Sequence, residues 1–148
     1  MISAEEKLKN YKTQFQRLKK AMDNAFYLEA VFIEYAIMED RTESILSYEG
    51  YKINSRNPNG FVSFGEKKRK ICDVARGKKT LMNHYFSDDI MDRAMEWVNE
   101  RNSVIHALLK KNTTTEELKA FAECGESLCK ELRNRANNYK RMLERRKQ

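Results

Sequence analysis

Only one proline and five glycines occur in the 148 residues of this chain, so few positions oblige a helix to stop or a strand to turn. With 34% of residues charged, the pattern fits long amphipathic helices better than a sheet with many turns. Apolar side chains recur at three- and four-residue steps, and Leu8, Tyr11, Phe15, Leu18 and Met22 mark a first helix over about 4–21. Asp23 or Asn24 is placed to cap a second helix, from Ala25 to about Tyr48. Its density of apolar residues, among them Phe26, Tyr27, Leu28, Val31, Phe32, Ile33, Ile37, Ile45 and Leu46, makes it central. Glu49-Gly50 ends it, and a loop over about 49–65 holds the turn-rich run Asn54-Ser55-Arg56-Asn57-Pro58-Asn59-Gly60. A short basic helix from about Glu66 to Arg76 follows. His84 falls in a loop before the next helix, which Ser87-Asp88-Asp89 opens and which runs toward Lys110. Thr114 and Glu117 fit a capping box for a long, basic last helix that continues to about Arg145. The expected fold is all-α, an up-and-down bundle of four long helices plus a short one, in a single domain over 1–148.

Lys and Arg outnumber Asp and Glu by 29 to 22, giving a net charge of +7 and a pI near 9.3. This balance fits a polyanionic partner and equally a lysine-rich solvated surface. Cys72, Cys124 and Cys129 are odd in number and show no C-x-x-C spacing, which indicates neither a disulfide framework nor a zinc site. No acidic cluster or Cys/His set resembles a metal site, so neither metal nor cofactor is expected. The first residues do not have the form of a signal peptide, and no run of about 18 apolar residues exists. The expectation is a cytoplasmic protein with no membrane partner.

Chemistry concentrates in Arg101-Asn102-Ser103-Val104-Ile105-His106. An arginine neutralises a phosphate and a histidine moves a proton near neutral pH, a pairing suited to phosphodiester chemistry without a metal. At about 100° per residue, Ile90, Ala94, Trp97, Val98, Val104, Ile105 and Leu108 all fall within roughly 60° of Arg101, which is thereby centred on the apolar stripe. His106 lies about 140° from Arg101 and about 40° from Asn102, at the stripe's edge. If the helix instead breaks near Asn99-Glu100, Arg101 and Asn102 stand in a first turn whose free N–H groups favour phosphate. In the second helix Glu34 sits amid Tyr27, Ala30, Val31, Ile37, Met38 and Ile45, with Arg41 in line two turns later and Asp40 off the stripe. An unpaired buried charge is costly, so Glu34, Arg41 and Arg101 are expected to find one another or a ligand. A structural ion pair and an ordinary boundary histidine are the alternative readings.

The motif Arg101-Asn102-x-x-x-His106, set in Trp97-Val98-x-x-Arg101-Asn102-x-x-Ile105-His106, resembles the R-x(4–6)-H motif of the HEPN superfamily. These are small helical bundles, many of them metal-independent endoribonucleases of toxin–antitoxin, abortive-infection and CRISPR defence systems. Helix order and size extend the likeness over most of the chain, and Phe32 to Arg41 also resembles the second-helix segment of defence-type members. Members silenced by nucleotidylation carry a tyrosine two residues after the histidine, where this chain has Leu108. The resemblance implies RNA cleavage through the 2′-hydroxyl to 2′,3′-cyclic phosphate ends, in a homodimer whose two motifs face each other, with an antitoxin or defence partner. It implies that His106 is the acid or base, that Arg101 holds the phosphate and that Asn102 orients phosphate or imidazole, with Glu34 and Arg41 supporting Arg101.

Lys67, Lys68, Arg69, Lys70, Lys110, Lys111 and the run from Arg133 to Lys147 are candidates to steer RNA, or else are solvated faces. Two readings compete with the nuclease. One is a non-catalytic helical module that binds nucleic acid or protein in the same groove. The other is a regulator that dimerises through Leu118, Phe121, Leu128, Leu132, Tyr139 and Leu143 on the last helix.

Overall fold

The computed structural model describes residues 2–53 and 58–148; Asn54 to Asn57, part of the turn-rich run, lie outside the described residues. Six helices and no strand make up the described chain: α1 (Ala4–Asp23), α2 (Tyr27–Ser47), α3 (Phe64–Ala75), α4 (Leu81–Phe86), α5 (Ile90–Ala107) and α6 (Thr115–Arg146). The all-α expectation holds, with α4 as an additional short helix. His84 belongs to α4 rather than to a loop, because Thr80 caps its start by accepting from the Asn83 N–H at 3.1 Å. Reciprocal capping boxes start three helices: Ser3 with Glu6, Ser63 with Glu66, and Thr114 with Glu117.

The α1–α2 turn departs from expectation. Asp23 and Asn24 do not cap α2; Asn24 closes α1, its side-chain amide donating to the Lys20 carbonyl at 2.7 Å. The Phe26 N–H reaches back to Ala21 O at 2.8 Å and the Ala25 N–H to Met22 O at 3.2 Å. That is the paired closure of a helix end that places the intervening residue in the left-handed region, and Ala25 has φ +60°. α2 then begins at Phe26 without a side-chain cap.

Contacts between side chains fix the helix directions. Glu34 lies beside Gly125 and Tyr48 beside Tyr139, so α2 and α6 run the same way while in direct contact. α1 opposes α2, since Lys7 meets Asp40 at 3.2 Å while Ala21 bonds back from Phe26 at the start of α2. α5 opposes α6, with Arg93 bonded to Glu131 at 2.8 Å and Trp97 stacked on Phe121 at 4.9 Å between centroids. α3 lies against α2 and α5 through Lys67–Glu39 at 3.6 Å and Lys68–Asp92 at 2.8 Å.

At one end of the α2–α6 contact Tyr139 is fully enclosed by Tyr48, Tyr85 and Phe86, and its hydroxyl donates to Glu49 Oε1 at 2.6 Å. Phe121, Leu128, Leu132 and Tyr139 are all buried within the chain. Four of the six residues of the proposed dimerisation stripe on α6 are therefore internal core, packed within the chain, while Leu118 and Leu143 at its two ends are only partly buried.

The Ala25 conformation generates a stability test. An alanine in the left-handed region carries a steric penalty that glycine lacks. Ala25→Gly should raise the stability by about 1 kcal/mol, read from denaturant midpoints at unchanged slope. A lower midpoint would show that the turn is not in this conformation.

Candidate functional site

α5 continues without a break through Asn99 and Glu100, so Arg101 and Asn102 stand in its last two turns, not in a first turn. The N–H-rich phosphate site of the broken-helix reading is absent here. The helix ends at Ala107, short of Lys110, where the N–H groups of Lys110 and Lys111 both close on Ala107 O at 2.9 Å. Trp97 and Val98 are buried, whereas Arg101, Val104 and Ile105 are only partly so, because the end of α5 emerges level with the start of α6.

Arg101 is held from two sides. Its guanidinium carbon lies 3.7 Å from the centroid of the Tyr35 ring on α2, and its Nη2 donates to Asn102 Oδ1 at 2.8 Å. Its Nε is buried without an acceptor. Burial, and secondarily the Glu39 charge, push the Tyr35 hydroxyl above its ordinary range, so the ring stays neutral beneath the cation. With Oδ1 engaged, the exposed Asn102 amide is left to donate outward. His106, one turn beyond Asn102, is exposed, and its ring makes no hydrogen bond with the described chain. The three motif residues thus share the end of one helix, with a fixed cation, a free amide and a free imidazole.

The supporting roles expected of Glu34 and Arg41 are not what the structure holds. Glu34 is completely buried, and neither carboxyl oxygen has a hydrogen-bond partner among the described residues; no ion pair joins it to Arg41 or Arg101. It packs against Gly125 and Trp97, and burial, with the Glu126 carboxylate adding to it, pushes its acid up to about 9. The group therefore stays neutral near pH 7, and protonation replaces the ion pair expected from sequence. Arg41 pairs with Asp40 at 2.7 Å and Ser44 at 3.3 Å and lies over the Tyr11 ring at 4.0 Å, on the α1 side of α2. Asp40, off the apolar stripe, is the counter-ion that the stripe alone could not identify.

The basic residues divide similarly. Lys67 is buried between Glu39 and Glu43, and Lys68 is tied to Asp92, so neither is a free cation for RNA. Arg69, Lys110 and Lys111 are exposed. Sequence reasoning passed over Tyr35 because its role is set by a helix far away in the chain. Phe32, exposed and three residues before Tyr35, flanks it on the same face of α2. Among the described residues no group of three or more His, Cys, Asp or Glu side chains is placed to hold a metal ion, and no helix is long and apolar enough to cross a membrane.

A guanidinium fixed on an aromatic face and bonded to an amide can bind an oxyanion, and an exposed imidazole one turn beyond the amide can exchange a proton with it. No family model, curated protein or solved structure matches the chain.

Two stability outcomes follow from Glu34. Its acid titrates near 4.3 in an unfolded chain and near 9 here. The stabilisation is complete below the unfolded value and is lost as pH rises through the folded one. Glu34→Met should therefore gain on the parent as pH rises, the difference widening by about 1 kcal/mol per pH unit between pH 5 and pH 8, in thermal melts. A gap independent of pH would mean that the carboxyl is solvated or paired. A methyl at Gly125 would press on the Glu34 carboxyl and come within 2.6 Å of Trp97 Cζ2, so Gly125→Ala should cost about 1–3 kcal/mol. An unchanged melting temperature would contradict this close contact.

Proposed function

We propose that the chain is a metal-independent endoribonuclease of HEPN type that acts as a homodimer, in the setting of a toxin or antiviral defence effector. The observation that carries this reading is that Arg101, stacked on Tyr35 and bonded to Asn102, shares the last two turns of α5 with the exposed imidazole of His106, one turn beyond Asn102. The resemblance of Arg101-Asn102-x-x-x-His106 to the family motif supplies the reaction class.

In this reading the 2′-hydroxyl of the RNA gives its proton to a neutral imidazole as its oxygen attacks the adjacent phosphorus. The P–O5′ bond breaks, and the leaving oxygen takes a proton from an imidazolium, leaving a 2′,3′-cyclic phosphate and a 5′-hydroxyl. Arg101 neutralises the charge that gathers on the non-bridging oxygens, and the Asn102 amide donates to one of them. Base and acid stand on opposite sides of the phosphorus, and each chain carries one motif histidine, so two protomers complete the site across a two-fold axis. The exposed Phe32 beside Tyr35 and the exposed Leu109 just past α5 give that end of the molecule apolar surface for a second copy to cover.

Purified protein should cut single-stranded RNA in EDTA, leave the DNA counterpart intact and sediment as a dimer at micromolar concentration. His106→Ala should lower the cleavage rate by about 10² to 10⁴ with little change in melting temperature. Arg101→Ala should lose cleavage as well, and Asn102→Ala should lose part of it. Full activity of the His106 variant, or a strict requirement for Mg²⁺, would overturn the nuclease reading. RNA binding without cleavage would favour the non-catalytic module.

A further inference from the structure

A second cationic feature lies on the side of α2 that faces α1, apart from the Arg101 motif. α1, α2 and the second half of α6 enclose a cleft of about 650 Å³, within the size range of small-molecule sites. Five cations line it: Lys7, Lys12, Arg41, Arg133 and Lys140. Among the described residues no carboxylate lines it; Asp40 lies behind its wall, paired with both Lys7 and Arg41. One carboxylate against five cations leaves the cleft strongly positive.

The cations are positioned rather than dispersed. Arg41 lies over Tyr11 at 4.0 Å, Arg133 over Phe15 at 4.5 Å and Lys140 over Tyr48 at 5.8 Å. Rings that hold guanidinium groups in place lower the entropy lost when an anion is bound. Two donors at the cleft also lack an acceptor: Nε of Arg41, a residue only 8% exposed, and the Tyr11 hydroxyl. Both atoms are shut off from solvent, so they add to the positive potential of the cleft wall without themselves reaching a bound anion. Burial raises the Tyr11 phenol above its ordinary range, so it remains a protonated donor.

We infer that this cleft binds a phosphate-bearing small molecule of nucleotide size, with Arg41, Arg133, Lys12 and Lys140 as its anion-holding groups. A planar guanidinium engages two phosphate oxygens at once, and the ammonium groups add point charges around them. The Ser44 hydroxyl, which accepts from Lys7 and Arg41 and so keeps its own hydrogen to give, and the Asn137 amide offer further donors. This site does not depend on His106 and does not rest on the nuclease reading.

Calorimetric titration of the full chain with ATP, with tripolyphosphate and with a short single-stranded RNA tests the assignment. ATP and tripolyphosphate should bind with one site per chain. Lys12→Ala/Lys140→Ala alters two exposed side chains and should weaken both by at least about tenfold. Lys19→Ala/Lys20→Ala, which removes the same charge from exposed positions outside the cleft, should change affinity by less than about twofold. His106→Ala should bind as the parent does. Arg41→Met should lose binding too, and the Lys12/Lys140 variant decides the matter if Arg41→Met does not fold. Equal losses in both lysine pairs, or no saturation by ATP or tripolyphosphate up to about 1 mM, would overturn the proposal. So would binding confined to the RNA, which would make the cleft a nucleic-acid contact.

Discussion

The contact between α2 and α6 decides where everything else can go. Two helices that run the same way cannot be joined by a short turn, so the chain between them must travel back along the bundle, and α5 supplies that return. α1 and α3 pack on the flanks of α2 that α6 leaves open, so the exposed residues of α2, Glu29, Phe32, Ala36, Glu43 and Ser47, are confined to one narrow stripe. The contact is close midway, where Gly125 lets α6 approach the Glu34 side chain, and broad at the far end, where Tyr139 fills the space between Tyr48 and Phe86. Arg135 ties the same helix to the α4–α5 turn through Asp88 and to its own Glu131, which also takes Arg93. α6 is thus a spine, and the middle of its apolar stripe, from Phe121 to Tyr139, is consumed inside the chain.

A central helix with several packed faces creates a problem for its charged residues, and α2 solves it in two ways. Arg41 reaches the rim between α1 and α2 and finds Asp40, Ser44 and an aromatic face; Lys67 on α3 reaches across to Glu39 and Glu43. Glu34 has no such exit. With a carboxyl among apolar atoms, the tryptophan and a glycine backbone, ionisation costs more than holding the proton, and the acid is neutral. The absence of a partner is what keeps it uncharged. Local opening between α2 and α6 would expose the group and let it ionise, so high pH should loosen this contact before others.

The helices themselves were largely legible, because period and capping are local properties: Ser87 to Asp89 ahead of α5 and the Thr114–Glu117 box before α6 mark starts that fall within a residue or two of those observed. The α1–α2 turn was not, since Asn24 suits an N-cap and a C-cap equally and alanine gives no hint of a left-handed turn. α4 escaped because six residues are too few to show a period. A helical wheel also cannot say which partner an inward residue meets. It placed Glu34 and Arg41 near one line on α2, yet α6 covers the first and α1 the second, so they never join. Arg101, Asn102 and His106 lie on one helix, so their spacing fixed their relative positions, but not that α5 emerges from the core there and leaves Arg101 only partly buried.

α2 also explains how one small helical protein can present two separate cationic features. Tyr35, which carries Arg101, and Arg41, which lies on Tyr11, are six residues apart, or about 9 Å along the helix and about 240° around it. They face different neighbours. In both places a tyrosine ring fixes a guanidinium, but the surroundings differ in what they leave free. At the end of α5 the companions are a free amide and a free imidazole at the surface, groups that exchange protons and meet a large substrate. In the α1–α2–α6 cleft the companions are further cations and hydroxyls, with no histidine among the lining residues. The first arrangement carries the proposed phosphodiester chemistry and the second the proposed anion site, and the two rest on different residues. Both depend on α2 staying in place, so a ligand seated between α1, α2 and α6 would brace the helix that positions Arg101.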